Sequence, residues 1–136
     1  MANTYRELTA WQKAFSLCLD TYRATRRFPK SEAYGLAAQM QRATVSVPSK
    51  IAEGFGRRTA PDFLRSLYIA YGSICELQTQ IMLAAELGYL QRDENDSLLQ
   101  SAGDVERLTK AFIRALKKRR SQSWSSFALL LLALEH

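Results

Sequence analysis

The stretch Leu67–Gly88 reads LYIAYGSICELQTQIMLAAELG, and it decides the fold. Leu67, Ala70, Tyr71, Ile74, Leu77, Gln78, Ile81, Ala84 and Ala85 recur at steps of three and four, the spacing of one face of an α-helix. No strict alternation, the mark of a half-buried strand, runs through it. Gly88 stops the helix, because glycine takes the left-handed conformation of a helix end without steric cost. Upstream, Pro61 suits a first helical turn and Asp62 suits the positive end of the helix dipole, so the helix starts near Thr59 or Ala60.

The same spacing extends to both sides. Leu8, Trp11, Phe15, Cys18, Tyr22 and Thr25 form the seam of a first helix, capped by Thr4 or Thr9 and ended by Phe28-Pro29. A second helix runs from about Ser31 to about Gly54, with a stripe of Leu36, Met40, Ala43, Val47 and Ile51. Pro48 lies inside it and leaves the Thr44 carbonyl without its donor. A kink is expected there, with Ser46 or Ser49 satisfying the freed groups and Gly54 and Gly56 ending the helix. A fourth helix starts after Asp93 as its cap, carries Leu98, Ala102, Val105, Thr109, Phe112 and Leu116, and ends in Lys117-Lys118-Arg119-Arg120. Four amphipathic helices with short connections predict an all-α, antiparallel up-down-up-down four-helix bundle over residues 5–120. Residues 121–136 form a tail with a polar hinge, Ser121–Ser126, and an apolar run, Phe127–Leu134, that has no partner in a closed bundle. Its ending, Leu134-Glu135-His136, resembles the start of an expression tag.

Of 136 residues, 47% are apolar and 24% charged, the composition of one globular domain. His136 is the one histidine, so triads built on histidine and histidine-based metal sites are excluded once that ending is set aside. Cys18 and Cys75 form no CxxC pattern and read as two buried thiols in a reducing cytoplasm. No metal and no cofactor are expected. Phe127–Leu134 falls far short of the roughly 20 residues that cross a bilayer, so no membrane partner is expected either. The net charge of +6, from 19 Lys and Arg against 13 Asp and Glu, suits an acidic partner such as RNA or DNA.

The middle of the chain carries a motif. Gln39-x-x-Arg42-Ala43, Ser46-Val47-Pro48-Ser49-Lys50-Ile51-Ala52-Glu53-Gly54 and Gly56-Arg57 together resemble the signature of the 23S rRNA-intervening-sequence proteins. Leu8-x-x-Trp11-Gln12-Lys13-Ala14, Phe28-Pro29, Tyr34-Gly35-Leu36, Gly72-Ser73-x-x-Glu76-Leu77 and Leu87-Gly88-Tyr89-Leu90 extend the likeness over roughly residues 5 to 118. The resemblance implies a four-helix bundle, a ring-shaped homopentamer and a bacterial source. A related group, the accessory proteins of diversity-generating retroelements, is pentameric, basic and nucleic-acid binding. Lys50 departs from the asparagine common in the family, and the segment after Arg120 has no counterpart in it.

Within the signature, Ser46 and Lys50 are four apart and could meet as a nucleophile and base. The structural reading is preferred: Arg42, Ser46, Pro48, Ser49, Ile51, Ala52, Glu53 and Gly54 shape one helix, and Glu53 pairs with an arginine. Gly72 costs about 1 kcal/mol against alanine in a helix interior, so something is expected to approach it closely, helix packing before ligand. Gly54-Phe55-Gly56-Arg57-Arg58 lacks the strand and the lysine-serine of a phosphate loop. Trp11 reads as core and Trp124 as a contact or surface residue. The chain is expected not to be an enzyme. Candidate nucleic-acid contacts are Arg57, Arg58, Lys110, Arg114, Lys117, Lys118, Arg119 and Arg120, and a five-fold ring multiplies the chain's net charge of +6 to about +30 per assembly. Few exposed aromatics stand beside them, so binding should be backbone-led and weakly sequence-specific. The alternative is a protein–protein adaptor whose docking element is Phe127–Leu134.

Overall fold

The computed structural model describes residues 4–119 and 122–135. All regular structure among them is helical. A 3-10 turn, Tyr5–Glu7, leads into α1 (Thr9–Thr25). A second, Lys30–Glu32, leads into α2 (Leu36–Gly56). Then follow α3 (Ala60–Glu86), α4 (Arg92–Lys118) and α5 (Trp124–Leu134). Each of α1 to α4 packs on its neighbour in the chain, and α1 closes against α4. Cross-helix contacts fix the directions. Thr25 and Thr21 of α1 meet Gln41 and Thr44 of α2, and Ser46 and Gly54 of α2 meet Ser73 and Ser66 of α3. Gln78, Tyr71 and Tyr68 of α3 meet Glu106, Lys110 and Lys117 of α4. In each pair the numbering falls on one helix as it rises on the other, so neighbours run antiparallel.

The core is filled by Leu17, Met40, Val47, Ile51, Phe55, Phe63, Leu67, Ile74, Leu77, Ile81, Phe112 and Leu116. The stripes expected on α2, α3 and α4 face it. On α1 the expectation is corrected. Leu8 and Thr25 are buried, but the inward face is Ala10, Ala14, Leu17, Thr21 and Ala24, while Phe15 and Tyr22 are exposed and Trp11 and Cys18 half-buried. The physical reason is volume. Small side chains let α1 settle close to α2 and α4 around a centre already occupied by phenylalanine and leucine. Thr21 fits there because its hydroxyl donates to the Leu17 carbonyl at 2.8 Å and accepts from Thr44 at 3.4 Å. Trp11 accordingly lies outside the core, between the rings of Tyr5 and Phe15, each 5.1 Å away.

Helix ends differ from the sequence reading in three places. The segment from Ser31 is a 3-10 turn, and α2 starts at Leu36, whose N–H donates to Glu32 Oε1 at 3.0 Å. The other Glu32 oxygen accepts from the Tyr89 hydroxyl at 3.0 Å, which ties this start to the end of α3. The α4 cap is Gln91 rather than Asp93, in a reciprocal box with Glu94. α2 runs on through Pro48, and Gly54 is inside it rather than ending it. A Cβ on Gly54 would lie 2.4 Å from the Ser66 Cβ, so its role is to let α2 and α3 close together. α3 starts at Ala60, one of the two starts read from the sequence, and Thr59 caps it, accepting from the Asp62 N–H.

The tail also differs from expectation. It does have a partner in the bundle: α5 buries Phe127, Ala128 and Leu131. The Trp124 ring meets Phe55 at 5.0 Å and Phe63 at 5.9 Å. Beyond the helix, the Glu135 carboxylate accepts from the N–H groups of Thr9 at 2.7 Å and Ala10 at 2.6 Å. These are orphan donors of the first turn of α1, and a carboxylate suits the positive end of that helix. Thr4, by contrast, caps only the preceding 3-10 turn. α5 thus covers one end of the bundle, the end that carries the α2–α3 loop and the last turn of α4.

Candidate functional site

The signature residues lie on α2 and α3 and separate into structural and surface groups. Val47, Pro48, Ile51 and Gly54 are buried, Ala52 is half-buried, and Ser49 and Arg42 are exposed. The Ser46 hydroxyl accepts from the Ser73 hydroxyl at 2.9 Å. Gln39, Arg42, Ala43, Ser46, Ser73 and Glu76 line a shallow groove of about 340 Å³ between the two helices. Glu53 bridges Lys50 at 3.2 Å and Arg57 at 3.4 Å along its own helix. Lys50 first, and Arg57 after it, hold the Glu53 carboxyl below the usual carboxylate range. The arginine expected to pair with Glu53 is therefore its own neighbour one turn on. Ser46 is joined to Ser73 and Lys50 to Glu53, so the two are not brought together as a nucleophile and its base. Gly72 is corrected as well: apart from its chain neighbours and its own helix backbone, no atom of the described residues stands within 4 Å of where its Cβ would be.

The two cysteines are half-buried rather than buried. Burial pushes the Cys18 thiol up, against the smaller opposing effect of a hydrogen bond with Thr44. Among the described residues no three His, Cys, Asp or Glu side chains are grouped as a metal would need.

The basic candidates gather at and near the α5-covered end, in two columns on α4. Lys110 and Lys117 lean toward α3. Lys110 pairs with Glu106 at 3.3 Å and lies 5.5 Å above the Tyr71 ring, and Lys117 lies 5.3 Å above the Tyr68 ring. Glu106 and Tyr71 raise the Lys110 pKa, and a hydrogen bond from Gln78, with Lys110 behind it, lowers that of Glu106. Arg114, Lys118 and Arg119 turn the other way and rim a groove of about 220 Å³ against α5, floored by Ala111, Ala115, Leu130 and Leu134. None of these three is in an ion pair among the described residues. Arg57 is engaged with Glu53, while Arg58, exposed in the α2–α3 loop, takes a positive φ of 61°. Arg120 lies outside the described residues. Tyr68 and Tyr71 were not singled out in the sequence for this surface. Their signal was a three-residue spacing on α3, and only the α3–α4 register places them under lysines.

A family profile described as 23S rRNA-intervening sequence protein matches residues 6–111. The chain belongs to the 23S rRNA-intervening sequence protein family. A crystal structure from Bacteroides thetaiotaomicron VPI-5482, described as a protein with unknown function from the S23 ribosomal protein family, superposes with a TM-score of 0.72. The match covers 77% of this chain and 95% of that one at 17% identity, which is a likeness of fold. No curated protein sequence matches the chain. The family match stops within α4, so about the last two turns of that helix, with Arg114, Lys117 and Lys118, then Arg119 and the whole of α5 lie beyond it.

Proposed function

We propose that this family member is a non-enzymatic, cytoplasmic bacterial protein. It assembles into a ring, a homopentamer, that binds nucleic acid through its basic surface with weak sequence specificity. The observation that carries the reading is the α4 surface. Arg114, Lys118 and Arg119 are exposed without carboxylate partners among the described residues, and Lys110 and Lys117 stand over Tyr71 and Tyr68. Unpaired cations meet phosphates at little cost, and a tyrosine beside a lysine can take a stacked base without reading its identity. Tyr68 is 44% exposed, so the backbone-led binding expected from the sequence gains a stacking element. Self-assembly is supported by the outward ridge of α1, where Phe15, Leu19 and Tyr22 are exposed, and by the open position at Gly72.

The test compares the wild type with a Lys117→Gln, Lys118→Gln, Arg119→Gln, Arg120→Gln variant in binding random-sequence RNA and DNA across a salt series. Lower affinity and a salt slope shallower by about 0.7 per lost contact on single strands support the reading. Unchanged affinity and slope remove the α4 surface from it. The second reading, a protein–protein adaptor, would be favoured by that result, since α5 still offers the exposed Leu129 and Leu134.

A further inference from the structure

Two helices carry an outward line of residues at helical spacing, besides the stripe that each turns to the core. On α1, Phe15, Leu19 and Tyr22 stand exposed about one turn apart, and Arg26 continues the line just past the helix. On α3, Ile69, Gly72, Glu76, Thr79 and Leu83 recur at steps of three and four, and all five are exposed. The two lines are unlike. The first is a ridge of large side chains. The second has a hollow at Gly72, where nothing outside its own helix and chain neighbours comes within 4 Å of the place of a Cβ. Their charges are unlike too. Arg26 and Glu76 are in no ion pair among the described residues, and Glu76 accepts only from the Gln80 amide, at 3.2 Å.

The two lines also match in level. α1 and α3 run parallel at opposite corners of the bundle, each packed on α2 and α4. Thr21 bonds to Thr44, and Ser46, about 3 Å further along α2, bonds to Ser73. Thr21 is therefore level with Cys75, Leu19 with the hollow at Gly72, and Tyr22 with Glu76, with Arg26 one turn above. We propose that the α1 ridge of one copy packs into the α3 face of the next, with Leu19 over Gly72 and Arg26 paired with Glu76. The proposal rests on the ring reading and supplies its contact. Ridge on ridge, or hollow on hollow, leaves voids that a close-packed interface does not tolerate. A contact between unlike faces leaves one of each free on every pair, so copies add until the circle closes. Ridge and hollow stand on one chain, in matching order and level, which is what a second copy needs and an unrelated partner does not.

The test places cysteines at Gln12 and Arg65, exposed positions that flank the two lines at nearly the same level. Gln12→Cys and Arg65→Cys are made singly and together, with Cys18→Ser and Cys75→Ser, and treated with a short bismaleimide after circular dichroism shows unchanged helix content. The two sites lie at opposite corners of one chain, so they link only between copies. The double variant should give a ladder of linked copies on a denaturing gel, and each single variant none. Arg26→Glu or Glu76→Arg alone should raise the concentration at which half the assembly dissociates by at least about tenfold, and the two together should recover most of it. Linking by Gln12→Cys alone overturns the proposal in favour of α1 packed on α1. Failure of the double reversal to recover assembly overturns the pairing and the register with it. A double-cysteine variant that assembles but does not link overturns the proposal and leaves the ring standing. A wild-type mass of 15.4 kDa at every concentration overturns both.

Discussion

Two glycines that look alike in the sequence have opposite situations. Gly54 faces the Ser66 Cβ at a distance no side chain could tolerate, whereas Gly72 faces open space. Gly54→Ala should therefore destabilise by about 1–3 kcal/mol through forced separation of α2 and α3, seen as a lower urea midpoint. Gly72→Ala should raise the stability of the isolated protomer by about 0.5–1 kcal/mol, the ordinary helix preference for alanine. If copies pack at Gly72, the same change should lower the assembled mass in light scattering. Glu106 gives a pH prediction. Its carboxyl is depressed by the Gln78 amide and by Lys110, so it contributes stability above the usual carboxylate range. That contribution is lost as pH falls through and below about 4. Glu106→Gln should flatten the stability profile in that window and leave its shape near neutrality unchanged, as followed by thermal melts across pH.

The helices themselves were legible because period is a local property of the chain. Which side of a helix turns inward is not local. α1 carries two stripes, one of alanine, leucine and threonine and one of aromatics, and spacing gives both the same period. Only the space left by α2, α3 and α4 selects the smaller one. Helix ends were misplaced for a similar reason: Glu32 and Glu94 cap through side chains, and the Glu135 carboxylate caps α1 from the far end of the chain. α5 was legible as apolar but not as docked, because the partners of its Trp124, Phe55 and Phe63, lie 69 and 61 residues away in the sequence. The docking has a direct test. Phe127 is fully buried, and Phe127→Ala should cost about 3–5 kcal/mol, or release α5 where that cost exceeds the docking energy. In a Trp11→Phe background the remaining Trp124 reports the outcome, and its emission should shift to the red as α5 leaves the bundle. An unshifted spectrum with unchanged stability would mean that α5 does not rest on Phe55 and Phe63 in solution.

For the whole molecule, the site was legible as charge and not as arrangement. The basic residues stand out in the sequence, but their division into a lysine–tyrosine seam and an arginine–lysine groove depends on which way each turns from α4. The outward ridge of α1 makes an assembly prediction. Phe15→Ser with Tyr22→Ser should cost the protomer little, since both rings are exposed, yet reduce the mass measured by light scattering toward 15.4 kDa. The central claim is that a ring of these chains binds nucleic acid through unpaired cations, so affinity must fall steeply with salt. The measurement is the wild type's affinity for a random-sequence single-stranded RNA between 50 and 200 mM salt, roughly the range over which counterion release is read. The account predicts a log–log slope of about −3 or steeper, since several phosphates are contacted at once. A slope near zero, or no binding at the lowest salt, would contradict it.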